Sequence, residues 1–235
     1  FIKMKNNFKQ NTLKEKEFDS FSAEFLYNTL KTLSENKKNI SIALSGGSTP
    51  LPILSILKDY KLNWEYLNFF MVDERNVSIS SSSSNYGNIE KVFFRDVNSS
   101  SHSMINDKYS IEECAINYEK LLCTKIPLGE NSLPIFDLIL LGIGDDGHTA
   151  SLFPETKGLN ERKKGVIKNS VTQLNTERIT LTYPVILNAS KIIILAKGAA
   201  KDKILKEIKM GKGDHYPIAR IINSNVETTC ILGIN

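Results

Sequence analysis

One histidine of this chain stands where a proton acceptor could work. The sequence GIGDDGH occupies residues 142–148, directly after an apolar stretch, and ends on His148. An imidazole has an ordinary pKa of about 6.5, so its neutral form can take a proton from water near neutral pH. Asp145 or Asp146 could fix its tautomer. A histidine that only caps a turn is the alternative, and the position after a predicted strand favours the catalytic interpretation.

A glycine- and hydroxyl-rich segment could bind an anion. It contains Ser45, Gly46, Gly47, Ser48 and Thr49 and is followed by a proline. The glycines allow a tight turn, and the N-terminus of a following helix offers unpaired N–H groups. We predict a cradle for a phosphate or a carboxylate. The alternative is a plain turn in which Ser48 or Thr49 caps the helix.

Cationic side chains follow the ends of other predicted strands. Asp73, Glu74 and Arg75 come directly after the apolar run LNFFMV. Arg178 and Lys201 lie near later predicted strand ends. An arginine at such a position can bind a phosphate through two parallel hydrogen bonds. For each cation, a solvated surface charge is the alternative.

Several other chemistries are disfavoured by the motifs. The string GIGDDG matches GxGxxG, but two carboxylates would stand where a dinucleotide pyrophosphate must approach. The segment at 45–50 lacks the GK[ST] ending of a triphosphate-binding loop, and no GxSxG elbow of a serine hydrolase occurs. The three histidines and three cysteines show no metal-ligand spacing. We therefore expect neither a metal nor a cofactor.

Apolar runs alternate with amphipathic segments along the chain. Strands are predicted at 39–44, 67–72, 135–141, 178–183, 191–196 and 228–232, and helices at 18–33, 85–94, 111–122, 200–210 and after Pro50. This alternation predicts an α/β fold with a mainly parallel sheet and helices on both faces. Ligands of such sheets bind beyond the carboxyl ends of the strands, so the three polar clusters should meet there.

The composition is that of a folded globular chain. It has 235 residues, 41% of them hydrophobic, and a net charge of +4. We expect a single domain over 1–235, with 1–17 as a poorly ordered or trimmed N-terminal extension. The weak, evenly spread basicity does not favour nucleic acid, and the sequence lacks the run of about 18 apolar residues that a membrane span needs. Three cysteines without paired spacing favour a reducing compartment.

Taken in order, four motifs resemble one known family. LSGGSTP at 44–50, VDERNV at 72–77, LGIGDDGHTASLFP at 141–154 and ERITLTYPVILNA at 177–189 are similar to the successive motifs of 6-phosphogluconolactonases. The resemblance implies a modified Rossmann-like fold. It also implies a cytoplasmic, metal-independent hydrolase of the pentose phosphate pathway that opens 6-phosphoglucono-1,5-lactone to 6-phosphogluconate.

The resemblance also implies roles for particular residues. His148 would accept the proton of water, and Asp73 would contact sugar hydroxyls or orient Arg75. The implied substrate-binding residues are Ser45, Gly46, Gly47, Ser48, Thr49, Arg75, Gly144, Asp146, Arg178 and Lys201, with the three cations holding the phosphate. Asp145 departs from the pattern of many members and adds a negative charge beside the site.

Alternative functions stay open at this point. A glucosamine-6-phosphate deaminase or an aldose–ketose isomerase would share the fold, but that family reads DEY and DGHIAFNEP where this chain has DER at 73–75 and DGHTASLFP at 146–154. A non-catalytic phosphosugar-binding protein is the third interpretation. The expected partner is a phosphosugar lactone, without nucleic acid or membrane, and fusion to or association with glucose-6-phosphate dehydrogenase is compatible with the composition.

Overall fold

The computed structural model describes residues 7–235, which form ten strands and seven α-helices. The strands are β1 (Phe8–Lys14), β2 (Ile40–Leu44), β3 (Leu67–Met71), β4 (Asp73–Arg75), β5 (Ser100–His102), β6 (Leu138–Gly142), β7 (Val166–Val171), β8 (Thr176–Leu181), β9 (Lys191–Lys197) and β10 (Glu227–Ile234). The helices are α1 (Glu15–Asn36), α2 (Pro50–Leu57), α3 (Asn85–Ile89), α4 (Ile111–Lys125), α5 (Tyr183–Ile186), α6 (Ala199–Lys209) and α7 (Ala219–Ile222).

Seven strands form one parallel sheet in the order β1-β10-β9-β6-β2-β3-β5. Every residue of β2 is buried, and so are the five central residues of β9. Because successive side chains of a strand point to opposite faces, both faces of the sheet must be covered. The α/β prediction with a mainly parallel sheet and helices is confirmed.

The order of the strands places a crevice between β2 and β6. From β2 the chain continues outward to β3 and β5, whereas β6 leads to β9 and β10 on the other side. β2 and β6 are neighbours, so the segments that leave their carboxyl ends diverge. A parallel α/β sheet binds its ligand at such a reversal of strand order.

A second, antiparallel sheet of three strands covers this end of the molecule. Its order is β4-β8-β7, and the Leu181 N–H donates to the Val72 carbonyl at 2.8 Å, which ties it to the end of β3. The segment 178–183 was predicted to be a strand of a mainly parallel sheet. That placement is wrong for β8, because β4 bends away after Met71 and pairs with β8 instead of extending β3.

The amino-terminal segment also differs from its prediction. We expected residues 1–17 to be a poorly ordered or trimmed extension, but β1 pairs in parallel with β10 and α1 starts at Glu15. The expectation is wrong for residues 8–17, and residues 1–6 lie outside the described part of the chain. β1 carries few apolar side chains, so backbone pairing with a distant strand, which a local pattern does not reveal, holds it in place.

Two helix starts carry side-chain caps. Ser110 and Glu113 form a reciprocal capping box at the start of α4. The Ser84 hydroxyl accepts from the Gly87 N–H at the start of α3. Thr49, one of the two residues predicted to cap α2, occupies its N-cap position, but its side chain makes no capping hydrogen bond.

Among the helices of residues 7–235, none combines the length and the apolar character that crossing a bilayer requires.

Candidate active site

A cavity of about 360 Å³ opens at the carboxyl end of the parallel sheet. It receives residues from the segments after β2, β3 and β6, as the sequence analysis expected of the three polar clusters. The predicted site residues that line it are Ser45, Gly46, Gly47, Ser48, Thr49, Asp73, Arg75, Gly144, His148, Arg178 and Lys201. Asp146 lies beside the cavity and reaches it through its contact with His148.

The His148 ring is held on two sides. Its Nδ1 atom lies 2.5 Å from the Asp146 Oδ1 atom, and the ring stacks on Phe153 with centroids 3.9 Å apart. The same Asp146 oxygen accepts the His148 backbone N–H at 3.0 Å. A carboxylate at Nδ1 favours the tautomer whose proton is on Nδ1 and leaves Nε2 free to accept one. The geometry therefore suits a general base.

Hydrogen bonds keep Asp146 ionised. Partial burial of its carboxyl opposes ionisation, but the bonds from the His148 ring and backbone outweigh it and lower the pKa of Asp146 below its usual value. An ionised Asp146 remains a hydrogen-bond acceptor for the His148 ring and backbone. The carboxylate thereby fixes the orientation of the ring at the cavity.

A glycine makes room for the His148 ring. A Cβ atom on Gly144 would overlap the His148 Nδ1 atom, far closer than any side chain permits. The Gly144 N–H also donates to the His148 carbonyl at 2.8 Å. Glycine at 144 is therefore a condition for the observed ring position, which gives this predicted site residue a steric role.

The turn that carries His148 rests on a later segment. The ring of Tyr216 fills the space beside Gly147, and the Ile218 N–H donates to the Gly147 carbonyl at 3.0 Å. Tyr216 is itself held by Glu207, which accepts its hydroxyl proton at 2.6 Å. Residues about seventy positions later in the sequence thus pack against the turn and hydrogen-bond to it. The local motif could not indicate these contacts.

Two arginines face each other across the β4–β8 pair. Arg75 and Arg178 are register partners in this antiparallel ladder, and like charges in that position repel. Their Nε atoms are buried without a hydrogen-bond partner in residues 7–235. Over the same residues, no ion pair includes either arginine. Such a pair is electrostatically suited to a multiply charged anion.

The crowding of positive charge is also visible in the ionisation of Arg178. Burial and the neighbouring charge of Arg75 lower the pKa of Arg178, while Asp73 and Glu74 partly offset this effect. The Arg75 Nη1 atom donates to the Ser83 carbonyl at 2.6 Å, so the serine-rich loop orients its guanidinium. The two arginines are thus placed together with part of their hydrogen-bonding capacity unused.

Two lysines of the cavity are already paired. Lys201, at the start of α6, forms an ion pair with Asp145. Lys197, at the end of β9, lies 3.1 Å from the Asp19 carboxylate of α1 and 5.1 Å above the Phe18 ring. Lys201 was predicted from the sequence and Lys197 was not, although Lys197 stands at the end of the apolar run of β9.

The glycine-rich turn after β2 packs closely against α3. A Cβ atom on Gly46 would overlap the Asn85 Oδ1 atom. That oxygen and the hydroxyl oxygens of Ser45 and Thr149 are buried and have no partner among the described residues, and all three residues line the cavity. Buried polar atoms without partners are costly, so a polar ligand would complete them.

Asp73 belongs to a buried network. Its Oδ2 atom accepts the Ser151 hydroxyl at 2.6 Å, and the Ser151 N–H donates to the Thr180 hydroxyl at 3.1 Å. Asn169 donates its amide to the Ser151 carbonyl at 2.8 Å. The network fixes Asp73 at the cavity wall, because its Oδ2 atom is held by the Ser151 hydroxyl.

Glu74 is a structural residue that the sequence analysis did not single out. Its carboxylate accepts the N–H groups of Asn85 and Tyr86 at 2.7 and 2.8 Å and the Ser84 hydroxyl at 3.0 Å. Burial raises the pKa of the Glu74 carboxyl, although these hydrogen bonds and one from the Arg75 N–H oppose the rise. Glu74 thereby joins β4 to the N-terminus of α3.

Other cavity residues carried weak signals in the sequence. Ser151, Thr149 and Phe153 lie inside the motif at 141–154, and Asn85 follows the serine run, but none has a type that indicates chemistry by itself. Within residues 7–235, no group of three or more His, Cys, Asp or Glu side chains is arranged to hold a metal ion.

A profile of the family described as glucosamine-6-phosphate isomerases/6-phosphogluconolactonase matches residues 14–230. The chain belongs to this family. Among curated members, the 6-phosphogluconolactonase of Chlamydia pneumoniae is 38% identical over 186 residues, which cover 77% of this chain and 70% of the relative. That of Synechocystis sp. is 38% identical over 200 residues, covering 82% and 81%.

A solved structure of the same family agrees with the fold. The 6-phosphogluconolactonase of Trypanosoma brucei superimposes with a TM-score of 0.84 at 27% identity, covering 96% of this chain and 95% of that one. The resemblance stated from the four motifs is confirmed by these matches. The family profile spans both the β2 turn and the His148 turn, so it includes the cavity described above.

Proposed function

We propose that this chain hydrolyses the ring ester of 6-phosphoglucono-1,5-lactone to give 6-phosphogluconate. The observation that carries the proposal is one cavity that holds both an oriented histidine and two adjacent arginines whose Nε atoms have no hydrogen-bond partner among the described residues. The histidine suits attack by water, and the arginines suit a remote phosphate. The names of the curated relatives support this substrate.

The reaction needs a proton acceptor at the attacking water. The Nε2 atom of His148 takes a proton from water as the water oxygen bonds to the lactone carbonyl carbon. The bond from that carbon to the ring oxygen then breaks, and the ring oxygen receives the proton from His148. Proton transfer of this kind contributes about 10²- to 10⁴-fold to a rate.

Negative charge develops on the carbonyl oxygen during the attack. Gly46 and Gly47 line the cavity just before the N-terminus of α2, and their backbone N–H groups donate to that oxygen. Asp73 accepts hydrogen bonds from sugar hydroxyls, since it is a fixed acceptor within the cavity lining.

The phosphate provides binding energy away from the reacting carbon. Arg75 and Arg178 hold it first, because their charges are adjacent and neither arginine forms an ion pair in residues 7–235, and Lys201 completes the contacts. A substrate anchored at one end presents its carbonyl carbon to His148 in a limited range of orientations. This anchoring explains why binding cations and a catalytic base share one cavity.

Hydrolysis of freshly generated 6-phosphogluconolactone tests the proposal. The assay couples 6-phosphogluconate formation to its dehydrogenase and subtracts spontaneous opening. We expect His148→Ala to lower kcat by about 10²- to 10⁴-fold with little change in KM, because the base is lost and the phosphate contacts remain. An unchanged kcat would remove His148 from the mechanism.

A second substrate separates this function from its family alternative. Wild-type protein is incubated with glucosamine 6-phosphate, and released ammonia is measured. We expect no release above the blank, since the relatives reported above are lactonases. Ammonia release without lactone hydrolysis would assign the chain to the isomerase side of the family. Tight binding of 6-phosphogluconate without any turnover would instead indicate a phosphosugar-binding protein.

We propose further that the chain acts in the cytoplasm without nucleic acid or membrane partners, and that it is fused to or associated with glucose-6-phosphate dehydrogenase. These proposals rest on the motif resemblance. Cell fractionation tests the location, and the chain should be found in the cytoplasmic fraction. Precipitation with an antibody to this chain tests the association, because the dehydrogenase should appear in the precipitate or in the same polypeptide.

A further inference from the structure

The two carboxylates of the His148 turn serve different partners. The turn closes where the Gly147 N–H donates to the Gly144 carbonyl at 3.0 Å. Asp146 contacts the His148 ring, whereas Asp145 forms an ion pair with Lys201 of α6. One short turn therefore controls both the base and one of the cavity's cations.

The cations of the cavity are not equally available. The arginines have no carboxylate partner in residues 7–235, while Lys197 and Lys201 each have one. The carboxylate on Lys201 is the more exposed of the two, since the Asp145 side chain is 82% accessible and that of Asp19 is 32% accessible. An ion pair open to water is weak, so Asp145 can be displaced from Lys201 at little cost.

We propose that Asp145 competes with the substrate's phosphate for Lys201 and so acts as a specificity-determining residue. The inference rests on the proposed function, in which Lys201 completes the phosphate site. Without a phosphate, Asp145 keeps Lys201 neutralised. With a phosphate held by the two arginines, Lys201 exchanges the carboxylate for a phosphate oxygen.

The charge of the ligand decides this exchange. A phosphate monoester carries about −1.5 to −2 charges at neutral pH and three acceptor oxygens, against one charge on a carboxylate. Lys201 lines the same cavity of about 360 Å³ as Arg75 and Arg178, so a phosphate anchored by the two arginines shares that cavity with the lysine. A sugar lactone without the phosphate has no group that can displace Asp145, so Lys201 contributes only to phosphorylated ligands.

Calorimetric titration with 6-phosphogluconate tests the competition directly. We expect Asp145→Asn to bind this ligand about two- to five-fold more tightly than the wild type, because Lys201 no longer has to leave a partner. In the hydrolysis assay KM should fall by the same factor.

A matched control separates release of Lys201 from a general loss of negative charge. Asp202 follows Lys201 on α6, and its carboxylate pairs with Lys206 at 2.6 Å instead of a cavity residue. Asp202→Asn removes the same charge without freeing Lys201, so its affinity should stay within about two-fold of the wild type. Equal gains in the two variants would overturn the proposal.

A double-variant cycle gives the second control. In a Lys201→Met background, Asp145→Asn should produce no gain in affinity, because the partner for which phosphate competes is gone. A gain that persists there, or no gain in the single variant, overturns the proposal. Weaker binding by Asp145→Asn also overturns it, since the pair would then preorganise Lys201. These outcomes all presuppose an active wild type; a wild type that neither hydrolyses the lactone nor binds 6-phosphogluconate overturns the proposed function itself.

Discussion

Gly144 and Gly142 belong to one segment but differ in the space around them. Substituting each by alanine and measuring kcat tests whether this space matters for activity. A Cβ atom on Gly144 would collide with the His148 ring, whereas one on Gly142 would meet nothing within 4 Å. We expect Gly144→Ala to lower kcat by about 10²-fold or more, because displacing a catalytic group by about an ångström has a cost of that size. The coupled hydrolysis assay measures it.

Gly142→Ala is the control for this prediction. It adds the same methyl group two residues away, also in the cavity wall, and should keep kcat within about two-fold of the wild type. Circular dichroism must show that both variants are folded. Equal activity of the two variants would mean that the position of the His148 ring is not limiting.

Arg178 allows a second prediction at the scale of single residues. Arg178→Gln should raise KM for the phosphorylated lactone by about 10- to 100-fold, because one charge-assisted hydrogen bond contributes about 1.5–3 kcal/mol. Initial rates with unphosphorylated gluconolactone should be unaffected. Arg95→Gln, at an exposed arginine paired with Glu90, is the control and should change neither substrate's kinetics. Equal losses on both substrates would contradict a phosphate role.

The polar residues that line the candidate site were largely predictable, whereas the residues that hold them in place were not. His148, Arg75 and Arg178 have types and positions that indicate acid–base or anion chemistry, and all three line the cavity. Ser151 and Tyr216 act by hydrogen bonds or by filling space against residues far away in the sequence. A local motif carries no information about such distant contacts, because they depend on how the chain folds back.

At the scale of elements, α4 supports the end of β3 through one hydroxyl. The Met71 N–H donates to the Tyr118 hydroxyl oxygen at 2.7 Å, and that hydroxyl donates to the Met71 carbonyl at 3.1 Å. β5 pairs with β3 only as far as Phe70, so Tyr118 replaces the missing strand. Burial raises the pKa of Tyr118 far above its usual value, so it stays a neutral hydroxyl.

Removal of this hydroxyl should destabilise the fold. Tyr118→Phe leaves the two Met71 backbone groups buried without partners, which costs about 1–3 kcal/mol of unfolding free energy. Urea denaturation monitored by circular dichroism measures the loss. Tyr109→Phe is the control at an exposed tyrosine and should change the free energy by less than about 0.5 kcal/mol. A stable Tyr118→Phe variant would show that water satisfies Met71.

Elements were predictable where their apolar pattern is long and local. The runs at β2, β3, β6, β9 and β10 and the stripe of α1 were all found from the sequence. β1, β5 and β7 were missed because they are short or polar, and the antiparallel β4–β8 pair was missed because its register joins segments about a hundred residues apart. Pairing of this kind is a tertiary choice that overrides local propensity.

At the scale of the whole molecule, the positive charges of two cavity arginines repel each other, and an anionic ligand can stabilise the fold by neutralising them. Arg75 and Arg178 are adjacent, and among the described residues neither forms an ion pair with a carboxylate. A ligand that binds only the folded state stabilises it by about 2.7 kcal/mol at roughly 100 times its Kd. For a chain of this size, 6-phosphogluconate should therefore raise Tm by roughly 5 to 10 °C.

Differential scanning fluorimetry checks this expectation. Gluconate, which lacks the phosphate, should give a much smaller shift at the same concentration. The Arg75→Gln/Arg178→Gln double variant should lose most of the shift with 6-phosphogluconate, because the anion has lost its principal contacts. A shift of wild-type size in that variant would place the phosphate elsewhere.

The pairing of β1 with β10 has a consequence for synthesis on the ribosome. Phe8 lies opposite Thr228 and Lys14 opposite Ile234, so the first described strand must wait for the last before it can pair. Contacts that join such distant segments form late, because the long loop between them has to close first. While the chain emerges, β1 therefore stays open to chaperones and proteases, and this edge of the sheet is completed only once β10 has left the exit tunnel.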